Sequence, residues 1–494
     1  MQPVRDVAPK VSLGQSIRFV LFVNGMLLLL LAAAMLVPML IDLASDSIDW
    51  HVFALSAMVT GFVGAALVAA MRQREPQIEM RTGFLLTVTS WTVLCAFATL
   101  PLAFSSLHLS FTDAFFETMS ALTTTGSTVL SGLDTMPWGL LLWRSLLQWL
   151  GGIGIVVMAI VILPFLRIGG MQLFRTESSD ISGKPVARVV QMTELTVAVY
   201  VGLTAACAIG FIVAGMPSFD AVNHAMTTIA TGGLSIKDAS LGYYHSLPIE
   251  LVAIVFMTAG ALPLIWYAEL LRDRSKALQE TQVRVFIAVL CAAIVLMTTW
   301  NMVANTMDIR TALRLSAFNV TSVLTDTGFA TTDFSAWGGF AVGLFFLLML
   351  VGGCAGSTSG AIKIFRWQIL FSSLGAQLKQ AISPHRVVVT RYAGRTVDSE
   401  MVDSVRNFFF MYVITLLVLS LLVMATGPDF LSATSAVAQA MANAGPGLSP
   451  AIGPAGNFAG MSDPAKWLLA LAMLLGRLEL STVYILLLVD YWRR

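Results

Sequence analysis

The sequence has little charge. Only 12% of its 494 residues are Asp, Glu, Lys or Arg, whereas about 25% is usual for a soluble domain with a wetted surface. Hydrophobic residues make up 57% of the chain. These proportions exclude a large water-exposed catalytic domain and are typical of an integral membrane protein. The formal net charge of +1 offers no strong basic character of the kind that binds nucleic acid, so we predict no such partner.

Chemically specialised clusters are also missing. The four cysteines, Cys95, Cys207, Cys291 and Cys354, lie far apart within or beside apolar runs, so their spacing fits neither a zinc site nor a disulfide scaffold. The sequence contains no phosphate-binding or dinucleotide-binding fingerprint, and no nucleophile with a partnering base is visible in the spans. We therefore predict a protein that is not an enzyme and holds no cofactor in this chain.

Ten apolar runs are long enough to cross a bilayer. We predict spans at 19–41, 52–71, 84–105, 139–166, 190–214, 248–270, 283–304, 337–370, 407–427 and 465–491. The first run exceeds the core of about 7–15 residues of a signal peptide, which favours a retained span over a cleaved leader.

Positive charge alternates between the predicted spans. Six segments hold 23 of the 29 Lys and Arg: 1–18, 72–81, 167–188, 272–284, 363–406 and 493–494. The positive-inside rule places these segments, and with them both termini, in the cytoplasm.

Four of the external connections, 109–138, 217–247, 308–336 and 429–464, repeat one pattern. Each begins with an apolar segment of about 12 residues, too short to span, and each ends at a glycine. Counting twelve residues from Ala114, Ala221, Ser316 and Ala433 reaches Gly126, Gly233, Gly328 and Gly445. Four such units predict pseudo-fourfold packing around one axis. Irregular backbone at membrane depth must be buried in protein or line a wet cavity, so the repeat predicts a pore.

The chemistry of these loops suits a cation. A short helix that ends at mid-membrane points the negative end of its dipole at the axis, and a glycine allows carbonyl oxygens to turn inward. Hydroxyl groups fit such a lining, at Thr123, Thr124, Thr125, Thr231, Thr325 and Thr327. The alternative interpretation is ordinary small-residue helix packing, which one Thr-Gly pair would favour but four in register do not.

Several motifs resemble the Trk/Ktr/HKT superfamily of potassium transporters, and within it the TrkH-like membrane subunits of bacterial Trk systems. They are TTTGS at 123–127, WRSLLQWLGGIGIVV at 143–157, LFRTESS at 173–179, TDTGFAT at 325–331, GGCAGSTSGAIKIFR at 352–366 and GRLELSTVYIL at 476–486. The resemblance implies an all-α polytopic membrane protein with four membrane–pore helix–membrane repeats around a pseudo-fourfold central pore, plus an N-terminal pair of transmembrane helices. The implied domains are the pair at 1–82 and repeats at 83–188, 189–280, 281–403 and 404–494.

The resemblance also implies a potassium-binding selectivity filter. Its residues would be Thr124, Thr125, Gly126, Thr231, Gly232, Gly233, Asp326, Thr327, Gly328, Asn443, Ala444 and Gly445. A serine at the first glycine position accompanies sodium transport in plant relatives, so Gly126 favours potassium. Asp326 departs from the hydroxyl pattern, and either hydrogen bonding behind the filter or a contribution to an ion site would explain it. Pro446 predicts that the fourth loop differs in shape, since proline lacks an N–H.

Glycines in GGCAGSTSG predict a helix break within the span at 337–370, because a continuous helix loses about 1 kcal/mol per glycine. By resemblance this is a gate, formed by Gly352, Gly353, Gly356, Ser357, Thr358, Ser359, Gly360, Lys363 and Arg477. The alternative is a small-residue helix crossing.

Five charged or titratable residues lie in or beside the predicted spans and short helices. Arg477 appears mid-way along the last span, and Glu479 is not its partner, since residues two apart on a helix do not face each other. Arg144 lies near the outer end of its span and could snorkel to the interface, so a structural role is favoured over a place in an ion pathway. Glu117 and His224 are interpreted as helix anchors.

The predicted function is potassium uptake across the bacterial cytoplasmic membrane through a gated, channel-like pore. The main alternative is a secondary symporter of potassium with protons or sodium, although transporters usually use inverted repeats and these four units share one orientation. The resemblance further implies a homodimer and a cytosolic, nucleotide-binding, TrkA-like regulatory subunit that docks on the basic segment 363–406. Anionic lipid alone would also explain that basic segment.

Overall fold

The computed structural model describes residues 13–72, 80–161, 185–385 and 388–493, and this part of the chain is mostly helical. The helices are α1 Leu13–Ala44, α2 Trp50–Met71, α3 Met80–Ala98, α4 Leu100–Ala103, α5 Phe111–Leu122, α6 Trp138–Val161, α7 Pro185–Val213, α8 Ser218–Ile229, α9 Leu247–Ala261, α10 Leu264–Arg272, α11 Arg274–Ala277, α12 Thr281–Val303, α13 Ile309–Leu324, α14 Gly339–Met349, α15 Ile364–Ile382, α16 Ser399–Met424, α17 Phe430–Ala442, α18 Asp463–Arg477, α19 Leu480–Leu487 and α20 Val489–Trp492. Two strand pairs are short: β1 Val351–Gly352 runs parallel to β2 Ile362–Lys363, and β3 Arg391–Tyr392 runs antiparallel to β4 Arg395–Thr396.

Within these described ranges, seven helices are long and apolar enough to cross a membrane, or nine if each of two bent pairs is one span. The polytopic helical fold that the sequence predicts is confirmed. The predicted cytoplasmic segments 1–18, 72–81 and 167–188 lie wholly or partly outside the described residues, as does the motif at 173–179.

The N-terminal pair, α1 and α2, cross closely at two glycines. A Cβ at Gly25 would lie 2.9 Å from the Gly64 carbonyl oxygen, and a Cβ at Gly64 would lie 2.9 Å from the Gly25 carbonyl oxygen. Such close backbone approach is what small residues allow between membrane helices. Asp42 at the end of α1 accepts a hydrogen bond from the Gly139 N–H at 2.7 Å, and this contact ties the pair to the start of α6.

Four short helices, α5, α8, α13 and α17, fill the positions predicted for pore helices, and we call them pore helices 1 to 4. They have 12, 12, 16 and 13 residues and form the most buried part of the molecule. Aspartates cap two of them: Asp308 accepts from the N–H groups of Arg310 and Thr311, and Asp429 caps pore helix 4 in the same way. Hydrogen bonds from Thr311 hold the pKa of the exposed Asp308 carboxyl below its usual value.

The second long helix of each repeat behaves differently from one repeat to the next. In repeat 1, α6 is continuous over its 24 residues. In repeat 3, α14 ends at Met349 and the chain resumes helix at Ile364, as the glycine-rich sequence predicts. The segment 350–363 between them is called the intramembrane loop.

Two further breaks correct the sequence interpretation. Helices α9 and α10 meet at 94° and α18 and α19 at 112°, so the predicted spans 248–270 and 465–491 are not straight helices. Pro263 explains the first break, because it has no N–H to continue the ladder. At the second, Glu479 has a φ of 65°. Arg477 is therefore the last residue of a helix and does not lie mid-way along a span.

Candidate functional site

The four pore helices end in the same turn. The N–H of Thr125 donates to the carbonyl of Ser120 at 2.8 Å, and the N–H of Thr124 donates to Ala121 at 3.0 Å, which together form a Schellman motif. The equivalent longer bonds join Gly232 to Thr227, Thr327 to Ser322 and Ala444 to Gln439, at 2.9, 2.8 and 3.0 Å. The backbone thus repeats with the register that the sequence predicts.

The residue at the centre of each turn has a left-handed backbone conformation. The φ angles of Thr124, Thr231, Asp326 and Asn443 are 55°, 49°, 60° and 58°. Helix ends of this kind usually carry glycine or asparagine, and a β-branched residue there is strained. Strain of this kind persists only where the surrounding contacts over-determine the conformation.

The four glycines that follow these turns close into a ring, the glycine ring. Their φ angles are 85°, 68°, 88° and 97° for Gly126, Gly233, Gly328 and Gly445. A Cβ on each would meet a carbonyl oxygen of the next loop, and the contacts run in order from Gly126 to Gly232, from Gly233 to Thr327, from Gly328 to Ala444 and from Gly445 to Thr125. The sequence of contacts returns to its start, so all four loops share one axis.

Polar oxygens surround this axis. A pocket lined by the four glycines opens on the side of the loops that leave them. Toward the pore-helix ends, three fully buried side-chain oxygens have no hydrogen-bond partner in the described part of the chain: Thr124 Oγ1, Asp326 Oδ1 and Asn443 Oδ1. Four helix C-termini bring partial negative charge to the same place. This arrangement suits a partly dehydrated monovalent cation.

Polar side chains nine residues before each glycine anchor the returning loop. Glu117 accepts from the N–H of Val129 at 2.9 Å, His224 contacts the Ser235 hydroxyl at 3.0 Å, and Asn319 accepts from the N–H of Thr331 at 3.3 Å. The anchoring role predicted for Glu117 and His224 is confirmed. In the fourth repeat alanine occupies this position, and Ser435 accepts from the N–H of Leu448 at 3.1 Å instead.

Arg144 is buried, with 1% of its side chain exposed. Its Nε donates to Glu117 at 2.7 Å, and its Nη1 donates to the Ser235 carbonyl at 3.0 Å. Arg144 therefore joins the loops that follow pore helices 1 and 2, which we call loops 1 and 2. It is structural, as the sequence favours, but it is buried in an ion pair and does not snorkel to the interface.

The intramembrane loop packs against the C-terminal ends of three pore helices. Thr358 Oγ1 donates to the Ile229 carbonyl at 2.9 Å, Ser359 Oγ donates to Asp326 Oδ2 at 2.5 Å, and the Ala361 N–H donates to the Ala442 carbonyl at 2.9 Å. Pore helix 1 meets α6 instead, where a Cβ at Gly151 would overlap the Leu122 carbonyl.

Arg477 joins this loop to α6. Its Nη1 donates to the Thr358 carbonyl at 2.9 Å, and its Nη2 lies 3.5 Å from the Gly151 carbonyl. Lys363 donates to the Ser359 carbonyl. Both cations act electrostatically on Asp326, so one carboxylate and two cations share a buried cluster. Glu479 pairs with Arg366 at 2.8 Å, which agrees with the prediction that it is not the partner of Arg477.

The structure brings the twelve predicted filter residues together around the ring. Of the predicted gate residues, Thr358, Ser359, Lys363 and Arg477 meet in the cluster, whereas Gly352, Gly353, Gly356, Ser357 and Gly360 shape the loop around it. Sequence reasoning missed Gln148, which contacts the second loop. A glutamine within an apolar span is the signal that could have found it.

Four short helices that converge on one glycine ring, together with the seven to nine candidate spans of the described residues, define a polytopic helical membrane protein. Residues 50–491 match the TrkH family of cation transport proteins. The chain belongs to this family, which confirms the resemblance carried by the motifs, and it is a transport protein and not an enzyme.

The chain is similar along almost its whole length to known members. It is 43% identical to the Trk system potassium uptake protein TrkI of Halomonas elongata, over 96% of this chain and 97% of that one. It is 36% identical to the Trk system potassium uptake protein TrkH of Escherichia coli, over 95% and 98%. The crystal structure of the potassium transporter TrkH from Vibrio parahaemolyticus superposes with a TM-score of 0.89 at 36% identity, and covers 97% of this chain and 100% of that one.

Proposed function

We propose that this protein takes up potassium across the bacterial cytoplasmic membrane through a gated, channel-like pore. The closed ring of four left-handed glycines is the observation that carries the proposal, because it brings four loops to one axis. The names of the relatives, which are potassium uptake proteins, support the same ion.

In this proposal the glycine ring and the residues before it form the selectivity filter. Carbonyl oxygens replace part of the hydration shell of the ion, and their number and spacing favour potassium over sodium. Asp326 is the one acid among the twelve filter residues, so the filter has no ring of carboxylates. That composition supports a monovalent cation over a divalent one.

The intramembrane loop and Arg477 form the gate. A guanidinium near the axis repels a cation, and its donors hold the Thr358 carbonyl of the loop at the same time. Opening would then require the loop to leave Arg477 and the ends of the pore helices. We infer that no cofactor in this chain takes part.

The concentration of Lys and Arg supports cytoplasmic termini and a cytoplasmic position for 363–406. We infer that the chain forms a homodimer and that a nucleotide-binding, TrkA-like subunit docks on this basic face. The hairpin of β3 and β4 presents two exposed arginines there, Arg391 and Arg395.

Purified protein in liposomes tests the function. We expect potassium to flow down its gradient in either direction, at a rate that does not depend on an imposed proton or sodium gradient. Flux that requires either gradient would replace the channel-like mechanism with the symport alternative. No potassium flux, from protein shown to be folded, would contradict both.

A further inference from the structure

The second loop differs chemically from the first and the third. In loop 1 the hydroxyls of Thr123 and Thr125 lie 2.8 Å apart, and in loop 3 the hydroxyls of Thr325 and Thr327 lie at the same distance. Each pair fixes the residue before the filter glycine to the end of its pore helix. Loop 2 has Ala230 and Gly232 at these positions and lacks both hydroxyls.

Gln148 of α6 occupies the space that a side chain at Gly232 would take. It is fully buried. Its Nε2 donates to the Gly232 carbonyl at 2.6 Å, and its Oε1 accepts from the Leu234 N–H at 3.1 Å. The two bonds lie on either side of Gly233 and use both ends of the amide. Because a reversed amide would face donor with donor and acceptor with acceptor, the contacts also fix its orientation.

The contact with Gln148 leaves no space for a side chain at position 232. A Cβ at Gly232 would lie 2.5 Å from Cδ, 2.6 Å from Nε2 and 2.7 Å from Oε1 of Gln148, and no other atom is nearer. The φ of Gly232 is outside the left-handed region, unlike that of Gly233. Glycine is therefore required at position 232 for space and not for backbone conformation.

We propose that Gln148 is a positioning residue of the selectivity filter, which takes the place in loop 2 of the hydroxyl pairs in loops 1 and 3. The proposal rests on the filter function proposed above. Gln148 sets the distance of the Gly232 carbonyl from the axis and so contributes to the choice between potassium and sodium. A purely structural role would change the amount of folded protein but not the permeability ratio of correctly folded molecules.

The first test replaces the amide. Gln148→Leu keeps the approximate volume but removes both bonds. We expect the potassium-to-sodium permeability ratio in liposomes to fall at least about fivefold, the change that the loss of even one of the two bonds implies. Gln148→Glu keeps the acceptor but sets an oxygen against the Gly232 carbonyl, and it should lower the ratio further. If Gln148→Leu does not fold, Gln148→Glu decides the question.

Two comparisons separate this inference from the filter proposal. Gln368→Leu removes a different glutamine, which is partly buried and donates to the Thr281 carbonyl away from the ring. This variant should leave the permeability ratio unchanged. Gly126→Ser alters the ring itself. If Gly126→Ser lowers the ratio and neither Gln148 variant does, the inference about Gln148 is wrong and the filter stands. If none of them lowers it, both are wrong.

A rebuilt loop gives the sharpest test. Gln148→Ala should lower the ratio, and combining it with Ala230→Thr and Gly232→Thr gives loop 2 the hydroxyl pair of loops 1 and 3, in the space that the amide has left. We expect this triple variant to recover at least half of the lost ratio. A ratio no better than that of Gln148→Ala alone would overturn the claim that the amide stands in for the hydroxyls.

Discussion

The glycine ring and the level just beyond it, at the ends of the pore helices, are built in opposite ways. At the ring, four loops use one turn, one register and one left-handed glycine each. Beyond it, α6 is continuous, α9 and α18 each end at a sharp bend before the next helix, and α14 gives way to the intramembrane loop. Near-equivalent ligands suit a site where an ion meets all four loops at once. An asymmetric level suits movement, because one loop can move without displacing the other three.

The largest effect is expected from a substitution of Arg477, which lies in the asymmetric level beyond the glycine ring. Arg477→Ala removes the charge near the axis and the bond to the Thr358 carbonyl, so potassium flux without a regulatory subunit should rise at least about tenfold, in line with the strength of one charged hydrogen bond. Deletion within Gly353–Gly360 should do likewise. The double change should give less than the product of the two increases, because both act on one constriction.

Lys466→Met is a matched control for the loss of a buried cation. Lys466 is 5% exposed and pairs with Asp113 at 2.6 Å, at the far end of pore helix 1. It should not raise flux per folded molecule. If neither Arg477→Ala nor the deletion raises flux, the assignment of the gate fails.

The second largest effect is expected from a substitution in the glycine ring. Gly126→Ser places a side chain against the Gly232 carbonyl and strains a φ of 85°. We expect the potassium-to-sodium permeability ratio to fall about tenfold, which corresponds to about 1.4 kcal/mol between the two ions. Gly215→Ala is the control, since its φ is 98° but no atom lies within 4 Å of the added Cβ. Equal ratios in both variants would remove Gly126 from the filter.

A third prediction separates the two roles considered for Asp326, hydrogen bonding behind the filter and a contribution to an ion site. Asp326 lies between the glycine ring and the intramembrane loop. Asp326→Asn keeps an acceptor for the Ser359 hydroxyl, and asparagine already occupies the equivalent left-handed position at Asn443. If hydrogen bonding is its role, Asp326→Asn should retain most transport and Asp326→Ala should lose several-fold more. Asp326→Gly removes the bond without backbone strain and should resemble alanine. If all three lower the apparent potassium affinity equally, the carboxylate belongs to an ion site.

The smallest effect is expected at the caps that begin the pore helices. Asp308→Ala should lower the melting temperature by less than about 2 °C at pH 7. Because its hydrogen bonds lower the native pKa of Asp308, its stabilisation is present above the unfolded pKa of about 3.9 and is lost as the pH falls through the lower native value. The melting temperatures of the native protein and of Asp308→Ala should therefore differ at pH 7 and approach each other as the pH falls below about 3.9. A difference that stays the same as the pH falls would contradict a role for the charge.

The glycine ring could be predicted from sequence, whereas the level beyond it, at the ends of the pore helices, could be predicted only in part. Glycines spaced identically after four amphipathic segments specify the ring, because each loop needs the same left-handed residue at the same position. The break after Met349 also follows from local composition. The 112° bend at Glu479 does not, because nothing in the segment from Arg477 to Leu480 disfavours helix, and tertiary contacts such as the Arg366–Glu479 pair are needed to explain it.

The roles of polar residues within spans depend even more on tertiary contacts. Sequence alone favoured snorkelling of Arg144 to the interface, whereas its burial depends on Glu117, which lies 27 positions earlier on another helix. Gln148 was missed because its partners, the backbone groups of Gly232 and Leu234, have no side-chain signature. The break at Pro263 was also missed, although local sequence indicates it, because proline has no N–H to continue the helix.

The contact that closes the glycine ring joins the earliest loop to the last one. Asn443 Nδ2 donates to Thr125 Oγ1 at 2.9 Å, and Ser127 Oγ donates to the Gly445 carbonyl at 3.0 Å, and each of these contacts spans 318 positions. At roughly 5–20 residues per second, the ribosome needs about 15 to 60 seconds to add the second partner after the first. During biogenesis the first loop therefore enters the membrane before its partners in the last loop exist. If the glycine ring is the filter proposed above, a nascent chain has no complete filter through which ions could leak before its final repeat has been inserted.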